Sequence, residues 1–296
     1  MTDERHGPGA ALETLDGLRA RAVRALAEAG LPTPEADAEL LIGHVLGLSR
    51  GEVQAKAITG FALTPEQHAT VQAMLERRAA REPLQHLTGT APFRSLELKV
   101  GPGVFVPRPE TEIVAQFAID ALLAVPNPRP RAVDLGTGSG AIALALATEV
   151  PHAEVIAVER SPEAHAWAER NIRDSGAANI RLVLGDLADA IPEWDATVDV
   201  VVSNPPYIPD DAVPRDLEVR LHDPAMALYG GPDGLDIVRS LSRRALELLR
   251  PGGTLVIEHG ELQGAELRAL LAADGWRSPV THRDLLGRDR ATTATR

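Results

Sequence analysis

The residues whose types and spacing are best suited to chemistry are Asn204-Pro205-Pro206-Tyr207. They follow the apolar run of residues 198–203, which is typical of a buried strand. Two prolines end that strand, because proline has no N–H for the sheet and holds a restricted φ. The turn presents an amide and an aromatic ring at a strand's carboxyl end, where open α/β sheets bind ligands. The Asn204 oxygen and the Pro205 carbonyl can accept both hydrogens of one NH₂ group, so the motif predicts alkylation of an uncharged nitrogen.

A glycine-rich loop lies upstream of this motif. The predicted strand of residues 131–135 leads into Gly136-Thr137-Gly138-Ser139-Gly140 and then into a predicted helix. Glycines permit positive φ and let a ligand approach the backbone closely. The start of a helix attracts negative groups such as carboxylates or phosphates. The loop therefore predicts a ligand-binding turn.

Acidic residues mark the ends of three predicted strands: Asp134, Glu159 and Asp186. Glu159 is placed to accept both ribose hydroxyls of a nucleoside ligand. Asp186 is placed to accept from an adenine amino group, with the backbone N–H of Leu187 beside it. An acid at Asp134 suits the cationic groups of S-adenosylmethionine, whereas an NAD site needs no acid there.

The glycine spacing leaves a second interpretation open. Gly136-x-Gly138-x-x-Ala141 also fits the dinucleotide fingerprint of an NAD-dependent dehydrogenase. The position of Asp134 favours S-adenosylmethionine over NAD.

Three motifs together resemble the peptide chain release factor glutamine N5-methyltransferases, the PrmC or HemK family. The resemblance begins near Arg81 and runs through Glu258-His259-Gly260 to residues 284–290, while the first 75 or so residues match mainly in helical character. The motifs are Val106-Pro107-Arg108-Pro109-Glu110-Thr111-Glu112, Asp134-Leu135-Gly136-Thr137-Gly138-Ser139-Gly140 and Asn204-Pro205-Pro206-Tyr207-Ile208. The first motif is much more specific than the last, which several amino-group methyltransferases share.

The resemblance implies an enzyme that moves a methyl group from S-adenosylmethionine to the side-chain amide nitrogen of a glutamine. The glutamine is that of the Gly-Gly-Gln motif in class 1 release factors, so the reaction modulates translation termination. We predict Asn204, Pro205 and Tyr207 as catalytic residues, and these with Pro206 and Arg108 as substrate-binding residues. The predicted cofactor-binding residues are Asp134, Gly136, Thr137, Gly138, Ser139, Gly140, Glu159, Asp186, Leu187 and Asn204.

Composition limits the class of protein. The chain has 296 residues, 44% of them hydrophobic, which suffices for one large or two modest domains. It has no cysteine, which excludes disulfides, thiolate metal ligands and cysteine nucleophiles, and we predict no metal site. The net charge of −12 and the lack of a dense basic run argue against direct nucleic-acid binding. The acidic start of residues 1–5 leads into no apolar segment, so we expect a cytoplasmic protein with no membrane partner, and a monomer.

The periodicities predict an α/β fold. We expect a Rossmann-like methyltransferase sheet, mostly parallel with an antiparallel last strand at residues 291–296, after a small helical bundle and a β-hairpin linker. Thr33 and Thr64 are predicted helix caps. The predicted hairpin pairs residues 96–100 with residues 104–106 across a turn at residues 101–103. The predicted domains are a substrate-recognition domain at 1–88, the linker at 89–108 and an S-adenosylmethionine-binding domain at 109–296.

Two further classes compete with the main interpretation. A nucleic-acid amino-group methyltransferase, acting for example on adenine N6, would use the same asparagine motif on a flipped base. A non-catalytic S-adenosylmethionine-binding module would have no need of the acceptor pair at Asn204 and Pro205.

Overall fold

A computed structural model describes residues 13–296, which divide after Gly89 into two compact units. Residues 1–5, from which the expectation of a cytoplasmic protein was drawn, lie outside the described residues. Among the helices of residues 13–296, none combines the length and the apolar composition needed to cross a membrane.

Residues 13–89 of the first unit form a small bundle of five helices around its own core. Leu15, Leu18, Ala22 and Leu26 recur at helical spacing on its first helix and are fully buried. The helices are α1 (Leu15–Glu28), α2 (Pro34–Leu46), α3 (Arg50–Ile58), α4 (Pro65–Ala79) and α5 (Leu84–Thr88).

The predicted caps of this unit differ in outcome. Thr64 and Gln67 form a reciprocal capping box at the start of α4, which confirms that prediction. Thr33 is the N-cap residue of α2, as predicted, but its side chain caps no backbone N–H. Its hydroxyl donates instead to Asp37 Oδ1 at 2.9 Å, because that buried carboxylate needs a donor for its second oxygen.

The second unit contains a hairpin and a seven-stranded sheet. The hairpin strands are β1 (Thr90–Phe93) and β2 (Leu96–Lys99). The sheet strands are β3 (Arg131–Leu135), β4 (Glu154–Glu159), β5 (Ile180–Leu184), β6 (Val198–Ser203), β7 (Leu249–Glu258), β8 (Arg277–Arg283) and β9 (Asp289–Thr295). Their order is β5-β4-β3-β6-β7-β9-β8, parallel from β5 to β7 and antiparallel at β9 and β8.

Helices cover both faces of this sheet. Ala132 of β3 faces one hydrophobic cluster and Val133 faces the other, as the alternation of a strand requires. The helices are α6 (Thr111–Leu123), α7 (Ala141–Glu149), α8 (Pro162–Ser175), α9 (Leu217–His222), α10 (Ala225–Leu228), α11 (Asp236–Leu248) and α12 (Gly264–Ala273), with a short 3₁₀ turn at Pro192–Trp194. The predicted fold class is confirmed.

The last strands differ in detail from the prediction. β9 is antiparallel and last in the chain, as predicted for the tail, and it lies between β7 and β8. The edge strand β8 was not predicted, because its sequence Arg277-Ser278-Pro279-Val280 is polar and carries a proline. The edge position of β8 and the register shift between Arg277 and Val280 both allow a proline in this strand.

The predicted hairpin pairing was wrong. β2 pairs with β1, the strand that precedes it in the chain, and residues 104–106 form no strand. Val100, Val104 and Val106 bury against Ala164 and Trp167 of α8. Packing on a helix therefore replaces strand pairing, and Phe93 and Leu98 join the core beside the sheet. Residues 90–108 of the predicted linker at 89–108 belong to the second unit, and Gly89 belongs to the first.

Candidate active site

The carboxyl ends of the parallel strands open into a cleft of about 1460 Å³. β3 lies between β4 and β6, so the succession of strands reverses direction at this point. Doubly wound sheets bind ligands at such a reversal. Every residue predicted for the site lines this cleft except Gly140, which is buried at the start of α7.

The three glycines of the loop have the positive φ angles that its sequence predicts. Gly136, Gly138 and Gly140 have φ values of 77°, 59° and 87°. A Cβ at Gly136 or Gly138 would meet nothing within 4 Å, so backbone conformation and not crowding requires glycine there. The N–H groups of Gly136 and Thr137 both donate to Val158 O at 2.9 Å, which joins the loop to the end of β4.

Asp134 is buried beside this loop and has one unused oxygen. Its Oδ2 accepts from Thr137 Oγ1 at 2.6 Å and from the N–H of Ala143 at 3.1 Å. Its Oδ1 is buried without a hydrogen-bond partner. Burial raises the pKa of Asp134 to about 7, against the effect of the two hydrogen bonds. The free oxygen is an acceptor prepared for a cationic or N–H donor.

Glu159 ends β4 and holds two loops at once. Its Oε2 accepts from Gly138 N and its Oε1 from Ser161 N, both at 2.8 Å. Each carboxylate oxygen has a second lone pair for another donor. Glu159 therefore shapes the glycine loop as well as offering acceptors to the cleft.

Asp186 and Leu187 lie at the rim. The Asp186 side chain is exposed, accepts from Ala188 N at 3.0 Å and lies 3.5 Å from Arg160 Nη1. Leu187 is half-buried and packs against the core beneath. Asp186 is the one exposed side chain among the predicted cofactor contacts.

Hydrogen bonds and a close packing contact fix the asparagine motif in place. Asn204 Nδ2 donates to Thr111 Oγ1 at 3.3 Å, and the preceding Ser203 Oγ donates to Leu135 O at 2.6 Å. A Cβ at Gly230 would lie 2.5 Å from Pro206 O, so a neighbouring loop packs directly on the proline turn. The turn is rigid because adjoining strands and loops fix it, in addition to the two prolines.

Tyr207 lies between the cleft and a buried acid. Its hydroxyl donates to Glu258 Oε1 at 3.4 Å, and its carbonyl accepts from Gln263 Nε2 at 2.9 Å. Burial and then the charge of Glu258 raise the pKa of Tyr207, so the phenol stays protonated. Burial also raises the pKa of Glu258 to about 7, although a hydrogen bond from Thr111 and the charge of Arg290 lower it.

Arg108 lines the cleft but already has a partner. Its Nη2 lies 2.7 Å from Asp223 Oδ2, and its guanidinium lies 5.2 Å from the centroid of the Phe105 ring. Burial raises the pKa of Asp223, and the charge of Arg108 opposes that shift. The geometry shows an anchor for the segment after α9, and a substrate contact by Arg108 stays a prediction.

Residues 17–89 match the PrmC N-terminal domain family, and residues 127–276 match a methyltransferase domain family. A release factor glutamine methyltransferase from Streptomyces coelicolor is 48% identical over 280 residues, which cover 93% of this chain and 95% of that protein. The chain belongs to the release factor glutamine methyltransferase family. The predicted resemblance is confirmed, and the nucleic-acid alternative gains no support from these relatives.

The similarity extends to a relative named for another substrate. A 4-amino-L-phenylalanine/4-methylamino-L-phenylalanine methyltransferase from Streptomyces pristinaespiralis is 39% identical over 264 residues, 88% of this chain and 87% of that protein. The hMettl16 catalytic domain, solved with MAT2A 3'UTR hairpin 6, has a TM-score of 0.55 at 16% identity over 75% of this chain and 81% of that one. The latter similarity shows a shared fold alone.

Several residues that line the cleft or contact the residues lining it were missed as site residues. Glu258 ends a strand, as the three predicted acids do, so the same criterion could have found it. Thr111 lies inside a quoted motif but its position beside Asn204 depends on the fold. Asp223 and Gln263 carry no local signal, because only tertiary packing brings them to Arg108 and Tyr207.

Proposed function

We propose that the protein transfers a methyl group from S-adenosylmethionine to the glutamine amide nitrogen of the Gly-Gly-Gln motif in class 1 release factors. The observation that carries the proposal is the Asn204-Pro205 acceptor pair, held rigidly at a strand end beside the unpartnered Asp134 oxygen in one cleft. Family membership supports the substrate class.

The residues present fit S-adenosylmethionine. A buried, unpartnered Asp134 Oδ1 suits a cationic ammonium or sulfonium, and binding would lower the cost of keeping that carboxylate ionised. Glu159 offers acceptors to ribose hydroxyls, and Asp186 with Leu187 borders the place for adenine. When bound, S-adenosylmethionine supplies an electrophilic methyl carbon on a sulfonium.

Asn204 and Pro205 prepare the nucleophile. A glutamine amide nitrogen is a poor nucleophile, because its lone pair is delocalised into the carbonyl. Asn204 Oδ1 and the Pro205 carbonyl accept its two N–H groups, which orients the nitrogen and raises its electron density. Positive charge develops on that nitrogen during attack, and the same two acceptors stabilise it. Tyr207 covers the amide plane, and water takes the proton that the product releases.

The test is methylation of a purified, unmethylated class 1 release factor with labelled S-adenosylmethionine, followed by peptide mapping. Label on the Gly-Gly-Gln glutamine is expected. Asn204→Ala should lower kcat by roughly 10²–10³, as loss of one preorganised hydrogen-bonding group does elsewhere. Its affinity for S-adenosylmethionine, measured by calorimetry, should change far less.

Asn127→Ala is the matched control, since Asn127 is exposed on the connector before β3. Near-normal turnover in Asn204→Ala would refute the acceptor-pair mechanism. A second candidate substrate follows from the 39% identical relative, namely a free aromatic amino acid with a para-amino group. Faster methylation of 4-amino-L-phenylalanine than of the release factor would favour that candidate.

The first unit is proposed to recognise the protein substrate. It matches the PrmC N-terminal domain and contains none of the predicted site residues. A docking protein needs far more contact area than one glutamine-sized pocket provides. Residues 90–296 alone should keep S-adenosylmethionine affinity and lose most methylation of the intact factor, once their folding has been verified by thermal melting.

A short Gly-Gly-Gln peptide serves as the control substrate for this deletion. It should be methylated poorly by both forms and should be affected less by the truncation. Equal methylation of the intact factor by both forms would remove the docking role.

A further inference from the structure

Five exposed apolar side chains lie at the sheet edge where the cleft opens, and we call them the apolar patch. They belong to three segments: Val213 and Met226 follow β6, Leu262 follows β7, and Leu285 and Leu286 lie between β8 and β9. Their exposed fractions lie between 55% and 97%. Exposed apolar side chains that are grouped in this way are typical of a surface that binds a partner.

The patch is continuous with the candidate active site. Val213, Met226 and Leu262 line the same cleft as Asn204 and Tyr207. The cleft volume of about 1460 Å³ exceeds the roughly 300–1,000 Å³ of most small-molecule sites. The cleft therefore has room for a segment of polypeptide beside a cofactor.

The turn that carries Leu285 and Leu286 is held by the buried Asp284. Its Oδ1 accepts from the N–H groups of Leu286 at 2.9 Å and of Arg288 at 3.0 Å. Its Oδ2 accepts from Arg288 Nε at 3.0 Å. A turn with this internal bonding presents both leucines in a defined position on the surface.

The same turn adjoins the loop that carries Leu262. β9 runs antiparallel to β7 with Ala291 opposite Glu258, so the turn before β9 lies at the carboxyl end of β7. A Cβ at Gly264, two residues after Leu262, would lie 3.1 Å from Asp289 Oδ2 at the start of β9. The leucines of the two loops therefore belong to one surface.

The charges beside Val213 limit the kind of partner that fits. Arg215 Nη1 lies 3.4 Å from Glu261 Oε1, and this ion pair links the segment after β6 to the loop after β7. Asp210 and Asp211 are exposed shortly before Val213. The patch therefore suits apolar side chains on a partner segment that carries no negative charge nearby.

We propose that the apolar patch binds apolar side chains in the release-factor segment that flanks the methylated glutamine. The two glycines of Gly-Gly-Gln carry no side chain, so the motif offers only one side chain for recognition. Residues next to the motif can reach the patch, because each residue of an extended chain spans about 3.3–3.6 Å. This inference rests on the proposed function, and it names what distinguishes the protein substrate from a free amino acid.

The experiment compares the full-length wild type with a triple variant that combines Leu262→Ser, Leu285→Ser and Leu286→Ser. The substrate is the intact, unmethylated release factor. The triple variant should lower kcat/KM about 10- to 100-fold, chiefly through KM, because apolar docking contacts are equal in the ground state and the transition state. The melting temperature should stay near wild type, since the three leucines are exposed.

Leu123→Ser is the matched control, because Leu123 is an exposed leucine at the end of α6, outside the lining of the cleft. It should keep the wild-type kcat/KM. A Gly-Gly-Gln tripeptide lacks the flanking side chains, so the triple variant should affect its methylation far less than that of the factor.

A matched change in the factor tests the chemistry of the partner. Serine in place of the apolar residues beside Gly-Gly-Gln should lower the wild-type kcat/KM to a similar extent. The changed factor with the triple variant should lose little more, because both changes remove the same contacts.

A wild-type KM in the triple variant, multiplicative losses in the combination, or an equal loss in Leu123→Ser or on the tripeptide would each overturn the inference. A dimer in analytical ultracentrifugation that the triple variant loses, with KM unchanged, would assign the patch to a second copy of this chain instead. A wild type that leaves the glutamine unmethylated would refute the proposed function. A wild type that methylates it beside an equally active triple variant would refute the inference alone.

Discussion

In the first unit, Asp37 and Glu39 are buried and each of their oxygens has a donor. In the second unit, Asp134 in the cleft and Glu258, which contacts the cleft residue Tyr207, each keep one oxygen without a hydrogen-bond partner. Asp37 accepts hydrogen bonds from Thr33 and Arg78. Glu39 accepts a hydrogen bond from Arg19 on one oxygen, and from Arg50 and Gln54 on the other.

The pKa shifts of Glu39, Asp134 and Glu258 follow this difference in hydrogen-bond partners. Burial raises the pKa of Glu39, but hydrogen bonds from Arg50, Arg19 and Gln54 outweigh it and the net shift is downward. Burial dominates at Asp134 and Glu258, and both pKa values rise to about 7. A buried acid whose two oxygens both accept hydrogen bonds stabilises the packing of the helices around it. A buried acid with one oxygen that lacks a donor destabilises the folded state until a ligand supplies that donor.

The largest expected effect on stability is in the first unit. Asp37→Ala should lower the free energy of unfolding by about 3–5 kcal/mol, because it removes the carboxylate and leaves the buried charge of Arg78 without its ion-pair partner. Urea denaturation measures the loss. Glu35→Ala on the exposed side of the same helix is the control, and an equal loss in both variants would contradict the role of the pair.

Asp134→Asn should change the free energy of unfolding in the opposite direction from Asp37→Ala. The folded protein holds a proton on Asp134 between about pH 4 and 7 that the unfolded chain releases, so this contribution to stability is present at low pH and is lost as pH rises through 7. Above pH 7 the variant should be more stable without ligand, by at most about 4 kcal/mol for a shift of three units. It should also bind S-adenosylmethionine more weakly.

Thermal melts of both proteins against pH, with calorimetry for the cofactor, check that prediction. The melting temperatures should converge near pH 4 and diverge above it. A variant that is less stable at every pH would show that the free Asp134 oxygen carries no cost.

A smaller effect is expected at Glu159, whose oxygens already have backbone donors. Glu159→Ala should weaken S-adenosylmethionine binding by about 1–3 kcal/mol, through loss of an acceptor and of the bond that shapes Gly138. Calorimetry beside Glu169→Ala, an exposed position on α8, measures it. Unchanged affinity would remove Glu159 from the site.

The smallest effect is expected at Asp186. Its side chain is exposed and its contact with Arg160 is a surface ion pair, so Asp186→Asn should change stability by less than about 0.5 kcal/mol. Cofactor affinity should fall less than in Glu159→Ala. A larger fall would show that the rim acid contributes more to binding than the buried one.

Local patterns predicted the parts of the fold that depend on local rules. Apolar runs located β3 to β6, and the capping signal at Thr64 located the start of α4. Thr33 is the N-cap residue of α2, but its hydroxyl bonds to the buried Asp37 instead of to a backbone N–H. The predicted hairpin return at residues 104–106 was wrong, because these residues pack on a helix instead. Competition between partners is a tertiary property, so no local pattern encodes its outcome.

The sequence by itself determined which residues reach the cleft, because glycines, acids and the asparagine motif must gather where parallel strands end. Only the tertiary structure decided how those residues are engaged. It brought Thr111 to Asn204 and Glu258 to Tyr207 across 93 and 51 positions of the chain. It also left one oxygen of Asp134 without a donor. Hydrogen-bond partners and burial depend on which distant segments pack together, and that packing sets both the orientation of the amide and the charge of the acids.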